Sequence, residues 1–564
     1  MKRVIVLAVI VVGLLGVSWG AYRVAAPPEP ELSRFVPSGA LLYLHAQDFS
    51  SLLSDWDKSQ EKQSWINSRN YDVFAQSRLL LRLNDAGKEF ASAAGVPPDA
   101  NLLHQVAGKH TAFALYDIGK LQFLYVTRLS SADSAQSALW QTRSKFETRT
   151  AGGITFYYRQ DPDSQREVAF AATNEYLLLA TREDLMAGAL QLLAGEKAHS
   201  IEEDPWWSRS VAAAGQPGDL RMVLNLEKIV PSPYFRSYWI QQNITDMKQY
   251  ASAISDLTRS GKEYREERIL FRAAALKDAP DAKGPAAVAE ILRLVPAVAG
   301  FYEAKAGPDP KDSLELVSVK ILAPHLGPAA PEKLAPQVQL GSGETGSNSD
   351  LETRIDQAPA AASVAGDSRA PLQAVFAKNH VLAQLEFQNT DRDSAGVFIR
   401  IHSAVAFLGE SDWDETSVRA ALVEFVRPGF TTGRLGVEWK SASGYSVLDG
   451  LWPLCVATRG KILLISDSPV FLNTALSNVN QKPTASPAAF AAGFEHQRER
   501  ENFVTLARLL DLKPQGPVNG AIPEFFSENI ASLSFALRDV SSEKVFVQDG
   551  NDRQTQTVTY TWSR

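Results

Sequence analysis

Apolar and polar positions along this chain switch between two periods, and Val168–Leu190 (VAFAATNEYLLLATREDLMAGAL) shows the switch most plainly. Two short apolar runs flank a turn at Asn174, and a stretch with helical spacing follows, opened by polar residues. An ungapped relative of this block, LCVATRGKILLISDSPVFLNTAL, returns at Leu454–Leu476. Short apolar runs bounded by turn residues predict strands, whereas apolar residues three and four apart predict helices. The two blocks together predict an α+β chain with an internal duplication: two related halves, each an antiparallel sheet with helices packed on one face.

Taken in order, Phe35–His45 reads as a turn and a strand, and Asp48 or Ser50 can cap a helix carrying Leu52, Leu53 and Trp56. Tyr71–Ala94 has helical spacing and stops before Pro97 and Pro98. Thr111–Tyr116 and Leu121–Leu129 read as paired strands, Ser131–Phe146 as a helix, and Gly152-Gly153 as the turn into the strand ITFYY. Asp204-Pro205 opens a helix holding Trp206 and Trp207, and Leu220–Leu226 is a strand. Ile240–Leu257 carries the clearest amphipathic stripe, through Ile240, Ile244, Met247, Tyr250 or Ala251, Ile254 and Leu257, and predicts a helix lying on its own sheet or docking a partner. Ile269–Leu276 closes the half as a strand.

In the second half, Leu294–Tyr302 echoes Phe35–Tyr43, and Ser313–Leu322 reads as a strand. Ala323–Pro371, rich in Pro, Ala, Gly and Ser, reads as a flexible insertion. Apolar stretches up to Phe387 and from Val397 to Leu408 both compete for the place of Thr111–Leu129. Glu415–Phe425 is the counterpart of the Ser134–Phe146 helix, and Gly444–Leu448 of Gly153–Tyr157. Asn502–Leu510 stands in the place of Leu220–Leu226, and Ile530–Leu537 and Thr555–Trp562 read as terminal strands. The expected organisation is an export segment over 1–26, a Pro-rich spacer over 27–34, a first repeat domain over 35–280 and a second over 288–564.

Four stretches, FVPSGALLYLHAQDFSSLL, GVPPDANLLHQVAG, GGITFYY and YLLLATREDLMAGAL, resemble an uncharacterised bacterial family of exported proteins, domain of unknown function 3352. The resemblance covers roughly Phe35–Val230 and, more faintly, the second half. It implies an envelope location and the α+β build. It implies no catalytic residue and no ligand.

The N-terminus narrows the location. Lys2 and Arg3 precede an apolar run from Val4 to Trp19 that extends through Tyr22, a charged start typical of export. The run approaches the span of about 20 residues that crosses a bilayer. Trp19 and Tyr22 stand where an aromatic belt is expected, and the positive end stays inside. The expectation is a single-pass inner-membrane anchor with the bulk in the periplasm or outside the cell. Cleavage after Val24-Ala25-Ala26, releasing a soluble protein, is the alternative. Charge then limits partners: 57 basic and 64 acidic residues, net −7, are spread along the chain, so no concentrated basic face exists for nucleic acid. The membrane and an envelope protein are the expected partners. The lone Cys455 allows no intrachain disulfide, and its place in LWPLCVAT, where the first copy has Ala169, reads as a small buried core residue.

Candidate chemistry is sparse. Gly341–Gly346 spells G-x-G-x-x-G, but lies inside the insertion without the strand and helix a dinucleotide site needs. Asp412-Trp413-Asp414-Glu415-Thr416 spells D-x-D-x-T, which an aspartate phosphatase places at the end of a parallel strand; the duplication assigns it instead to a helix start. Glu202-Glu203-Asp204 reads as an acidic helix start. His104 and His110 are the closest histidine pair, with no carboxylate cluster nearby in sequence. No catalytic, cofactor-binding or metal-ligating residue is assigned. The expected function is non-enzymatic binding or scaffolding in the envelope. The alternatives are a carrier or sensor of an apolar ligand held between sheet and helices, and, behind it, an extracytoplasmic hydrolase or phosphatase.

Overall fold

The computed structural model describes residues 31–563, apart from 68–70, 72–74, 77, 234–246, 278–281, 323–368, 393–398, 431–437, 450–451, 484–487 and 500–539. The export segment, Gly341–Gly346, Asn502–Leu510 and Ile530–Leu537 lie outside the described residues. Among the described residues, no helix is long and apolar enough to cross a membrane.

Mixed helices and strands build one large antiparallel sheet. The first half contributes β1 (Leu42–Ala46), β2 (Thr111–Asp117), β3 (Gln122–Arg128), β4 (Glu147–Ala151), β5 (Ile154–Gln160), β6 (Glu167–Thr173), β7 (Tyr176–Ala180), β8 (Leu220–Asn225), β9 (Tyr250–Ser260) and β10 (Glu263–Arg272). The second contributes β11 (Phe301–Ala306), β12 (Val381–Arg392), β13 (Ile399–Gly409), β14 (Trp439–Ala442), β15 (Tyr445–Asp449), β16 (Pro453–Arg459), β17 (Ile462–Ser466), β18 (Phe490–Phe494), β19 (Val540–Asp549) and β20 (Arg553–Trp562). From one edge the order is β4-β5-β6-β7-β3-β2-β1-β8-β9-β10. From the other edge it is β14-β15-β16-β17-β13-β12-β11-β18-β19-β20. The two runs meet where β10 pairs with β20, Tyr264 opposite Tyr560.

Helices cover both faces of this sheet, which corrects the expected single face. The first half has α1 (Phe49–Lys58), α2 (Gln60–Ile66), α3 (Arg78–Ala94), α4 (Ala100–Val106), α5 (Glu183–Leu193) and α6 (Pro205–Ala213). The second has α7 (Gly284–Leu292), α8 (Pro310–Val317), α9 (Ala370–Lys378), α10 (Glu415–Phe430) and α11 (Pro469–Ser477). Along β3, Leu124 and Val126 join Met186 of α5 and Trp207 of α6 in one core, while the intervening Tyr125 joins Phe90 of α3 and Val106 of α4 in another. Leu385 and Leu464 likewise pack with Ile291 of α7 and Phe471 of α11, and Phe407 and Leu463 with Phe376 of α9 and Leu422 of α10. The signal was in the repeated block: YLLLA and ILLIS are apolar without alternation, as strands buried on both faces must be.

Asn174 (φ 49°) and Gly460 (φ 56°) turn the β6–β7 and β16–β17 hairpins in the left-handed conformation that both residue types tolerate. Other expectations change. Tyr250–Ser260 is strand β9, since Tyr250 and Ile254, four apart, fit period two as well as a helical stripe. Ladders to β8 and β10 on both sides decide between them. Ser313–Leu322 is helical: Asp309 accepts from the Lys311 and Asp312 amides (2.8 and 3.0 Å), Pro310 takes the first position, and a π turn carries on to Leu322. Within Ser131–Phe146 the backbone breaks into short turns, because Ser137 starts a new one by accepting from the Trp140 amide.

Candidate functional site

Helices lie differently over two sets of strands on the sheet. Over β13 and β17, α8, α9 and α10 close down directly: the Phe376 ring lies 4.8 Å from Phe407 and 6.0 Å from Trp413. Over β2, β3 and β7, helices α1 to α4 instead wall a cavity of about 590 Å³. That falls within the roughly 300–1,000 Å³ typical of small-molecule sites.

Its floor follows from strand alternation. Phe113, Tyr125 and Leu179 lie opposite one another across β2, β3 and β7, and Leu115 lies opposite Phe123 in the next row. Leu83, Ala86, Gly87 and Phe90 come from α3 with helical spacing, so a single stripe faces the cavity. Gly87 keeps room there: a Cβ at this position would meet only Pro98 Cγ, at 3.6 Å. Leu102 and Val106 of α4 and Leu53 and Trp56 of α1 complete the wall. Trp56, Leu83 and Leu103 line the cavity and also reach solvent.

Few polar groups interrupt this surface. Tyr125 donates its hydroxyl to the Val106 carbonyl (2.7 Å), tying the end of α4 to β3, and burial pushes the phenol up to about 12. Asp57 at the end of α1 accepts from Lys62 of α2 and is paired with His104 of α4. Those contacts, Lys62 first, hold its carboxyl below the usual range. Asp99 caps α4 through the Leu102 amide (2.9 Å). Arg166, just before β6, is buried in the wall and donates to Glu89 of α3 (2.5 Å) and to the Lys120 carbonyl (2.6 Å). Helix-start and strand signals place most of these elements, but a void between them leaves no sequence pattern; the nearest signal is a glycine inside the apolar stripe of α3.

A second, smaller pocket of about 230 Å³ lies on the other face, beside β1 and β8. There His45 stacks on His110 (ring centres 6.0 Å apart), and Arg221 forks onto Asp256. Burial, with help from His110 and Arg221, pushes His45 down to about 4.

The sequence candidates are dispersed. His110 lines the smaller pocket, whereas His104 is paired with Asp57 at the end of α1. Asp414 caps α10, accepting from the Thr416 amide (3.1 Å), and β13 runs antiparallel to both neighbours, so the parallel-strand end a phosphatase aspartate needs is absent there. Glu203 closes a capping box with Ser200, and Asp204 accepts from the Gly39 amide (3.0 Å). Cys455 is fully buried, and burial pushes its thiol up to about 12. Among the described residues no group of three or more His, Cys, Asp or Glu is arranged to hold a metal ion.

No family model matches the chain, and no curated protein matches it. Among solved structures, crystal form IV of TP0453 overlaps 45% of this chain and 83% of its own, at 13% identity and a TM-score of 0.24. Crystal form III of the same protein overlaps 45% and 84%, at 12% identity and a TM-score of 0.25.

Proposed function

We propose that this is a non-enzymatic protein of the bacterial envelope, anchored by Val4–Tyr22, that carries an apolar ligand between the sheet and helices of its first half. The observation that carries this reading is the 590 Å³ cavity, lined by apolar rings and aliphatic groups, between β2, β3 and β7 and the helices over them. Burying apolar ligand surface there contributes about 0.8 kcal/mol per methylene.

The halves read as copies of one ancestral unit. Supporting this, both thread ten described strands in the same spatial order, and the related blocks Val168–Leu190 and Leu454–Leu476 fall on equivalent strands and helices. On this reading one copy serves as closed scaffold and the other opened its helical layer to hold a ligand. The family resemblance over Phe35–Val230 belongs to the same proposal, since it implies export without implying chemistry.

The test is titration of the full chain, kept in mild detergent, with an environment-sensitive apolar dye. Gly87→Phe builds a ring from the cavity wall and displaces ligand volume. Losing two methylenes of contact costs about 1.6 kcal/mol, roughly tenfold in affinity. Dye affinity is expected to fall at least tenfold while the urea midpoint stays within error. Equal dye binding by both proteins refutes the carrier reading and returns preference to a scaffold that works through a protein partner.

A further inference from the structure

We infer that the ligand is an amphiphile with an apolar tail and an anionic head, received by Arg166 at the β2–β3 hairpin end of the cavity. This rests on the carrier reading and names the ligand class of the same site.

The argument is a charge count at one wall. Glu89 is the counter-ion of Arg166, but it also accepts from Arg82 (3.3 Å). Two guanidinium groups therefore share one carboxylate, and the cluster carries a net positive charge beside an apolar cavity. Asp161, at the end of the same β5–β6 hairpin, turns its carboxylate to Ser92 (2.8 Å) and Ser164 (2.6 Å). Of the other charged wall groups, Lys62 meets Asp57, and Asp99 accepts from the Leu102 amide at the start of α4, away from Arg166.

Arg166 also has donors to give. Of the five N–H groups in a guanidinium, the Glu89 and Lys120 bonds take two among the described residues. Its place is fixed, because the Lys120 carbonyl sits on the β2–β3 turn and Glu89 on α3. A planar fork held against an apolar wall suits a carboxylate or phosphate oxygen pair better than a neutral head. Low-dielectric surroundings strengthen that preference, and a buried cation is stabilised by a second counter-ion.

The experiment displaces the bound apolar dye from the full chain with a long-chain fatty acid, the alcohol of equal chain length, and vesicles of phosphatidylglycerol. In the native protein the acid is expected to displace dye at a concentration at least tenfold lower than the alcohol, with a gap that largely persists at high salt, since buried charges are little screened. Arg166→Gln is expected to erase the gap and leave displacement by the alcohol unchanged, because Glu89 keeps Arg82. Glu89→Gln, which frees the fork, is expected to widen the gap. Should Arg166→Gln fail to fold, the Glu89→Gln result decides alone. Equal displacement by acid and alcohol in the native protein, a gap that survives Arg166→Gln, or a gap that Glu89→Gln leaves unchanged overturns the anionic-head inference. Dye that never enters the cavity overturns the carrier reading instead. Displacement by the vesicles as well as the free acid supports a membrane phospholipid as the source; displacement by the free acid alone supports a free fatty acid.

Discussion

Replacing Asp256 by alanine should destabilise the first half more than any exposed charge deletion. Arg221 on β8 and Asp256 on β9 are directly opposite in the antiparallel register. The guanidinium donates from Nε to Oδ1 (2.7 Å) and from Nη2 to Oδ2 (2.8 Å), and the side chains are only 7% and 12% exposed. Oδ1 also accepts from the Gly218 amide (3.2 Å), a close approach that requires glycine, since a Cβ there would sit 2.5 Å from the Leu257 carbonyl oxygen. Alanine removes the counter-ion and leaves Arg221 buried with the Gly215 carbonyl (2.7 Å) as its remaining hydrogen-bond partner among the described residues. Breaking a buried pair from one side costs about 3–5 kcal/mol. With a urea slope of roughly 3 kcal/mol/M, the midpoint should fall by about 1–1.7 M. The assay is urea unfolding followed by tryptophan emission, since Trp207 packs edge-on against Tyr43 (4.6 Å) in the same half. Asp256→Asn should cost less, because it keeps an acceptor for Gly218. The double variant Arg221→Met/Asp256→Leu should recover much of the loss, because no unpaired charge remains. A midpoint shift below about 0.3 M for Asp256→Ala, or a double variant as unstable as the sum of the singles, would refute the reasoning.

Two further outcomes follow from buried groups. His45 is pushed from 6.5 down to about 4, so the unfolded chain binds its proton first. Its contribution to stability is complete above about pH 6.5, is lost as pH falls from there towards 4, and is level below that. The window is worth about 3 kcal/mol. Stability against pH for His45→Gln, compared with the native chain, should be flatter over that window; identical slopes would sink the assignment. Cys455, with its buried thiol pushed up to about 12, should resist a maleimide at neutral pH in the folded protein and react promptly in urea. Rapid labelling of the folded chain would show that β16 opens.

Much of the architecture was legible from local pattern. The left-handed turn at Asn174 and Gly460, the strands flanking it, and the caps at Asp48 and Asp414 each follow from a few neighbouring residues. The unbroken apolar runs YLLLA and ILLIS also held the news that helices cover both faces, which an expectation of alternating antiparallel strands passed over. The misreadings occurred where one local pattern fits two periods. Tyr250 and Ile254 satisfy a helix and a strand alike, and only the presence of β8 and β10 on either side makes the strand the lower-energy choice.

The candidate site was hardly legible at all. Its floor residues, Phe113, Tyr125 and Leu179, come from three strands, and its walls come from α1, α3 and α4. Each is an ordinary apolar position in its own element, so nothing in composition or spacing distinguishes a packed face from a hollow one. By itself the sequence determined most of the strands and helices, and which of their side chains turn inward, because those follow from backbone geometry and nearest neighbours wherever only one period fits. Only the tertiary structure decided how far the helices stand from the sheet, and that Arg82 and Arg166 share Glu89, because distances between segments far apart in the chain are set by packing that no local pattern records.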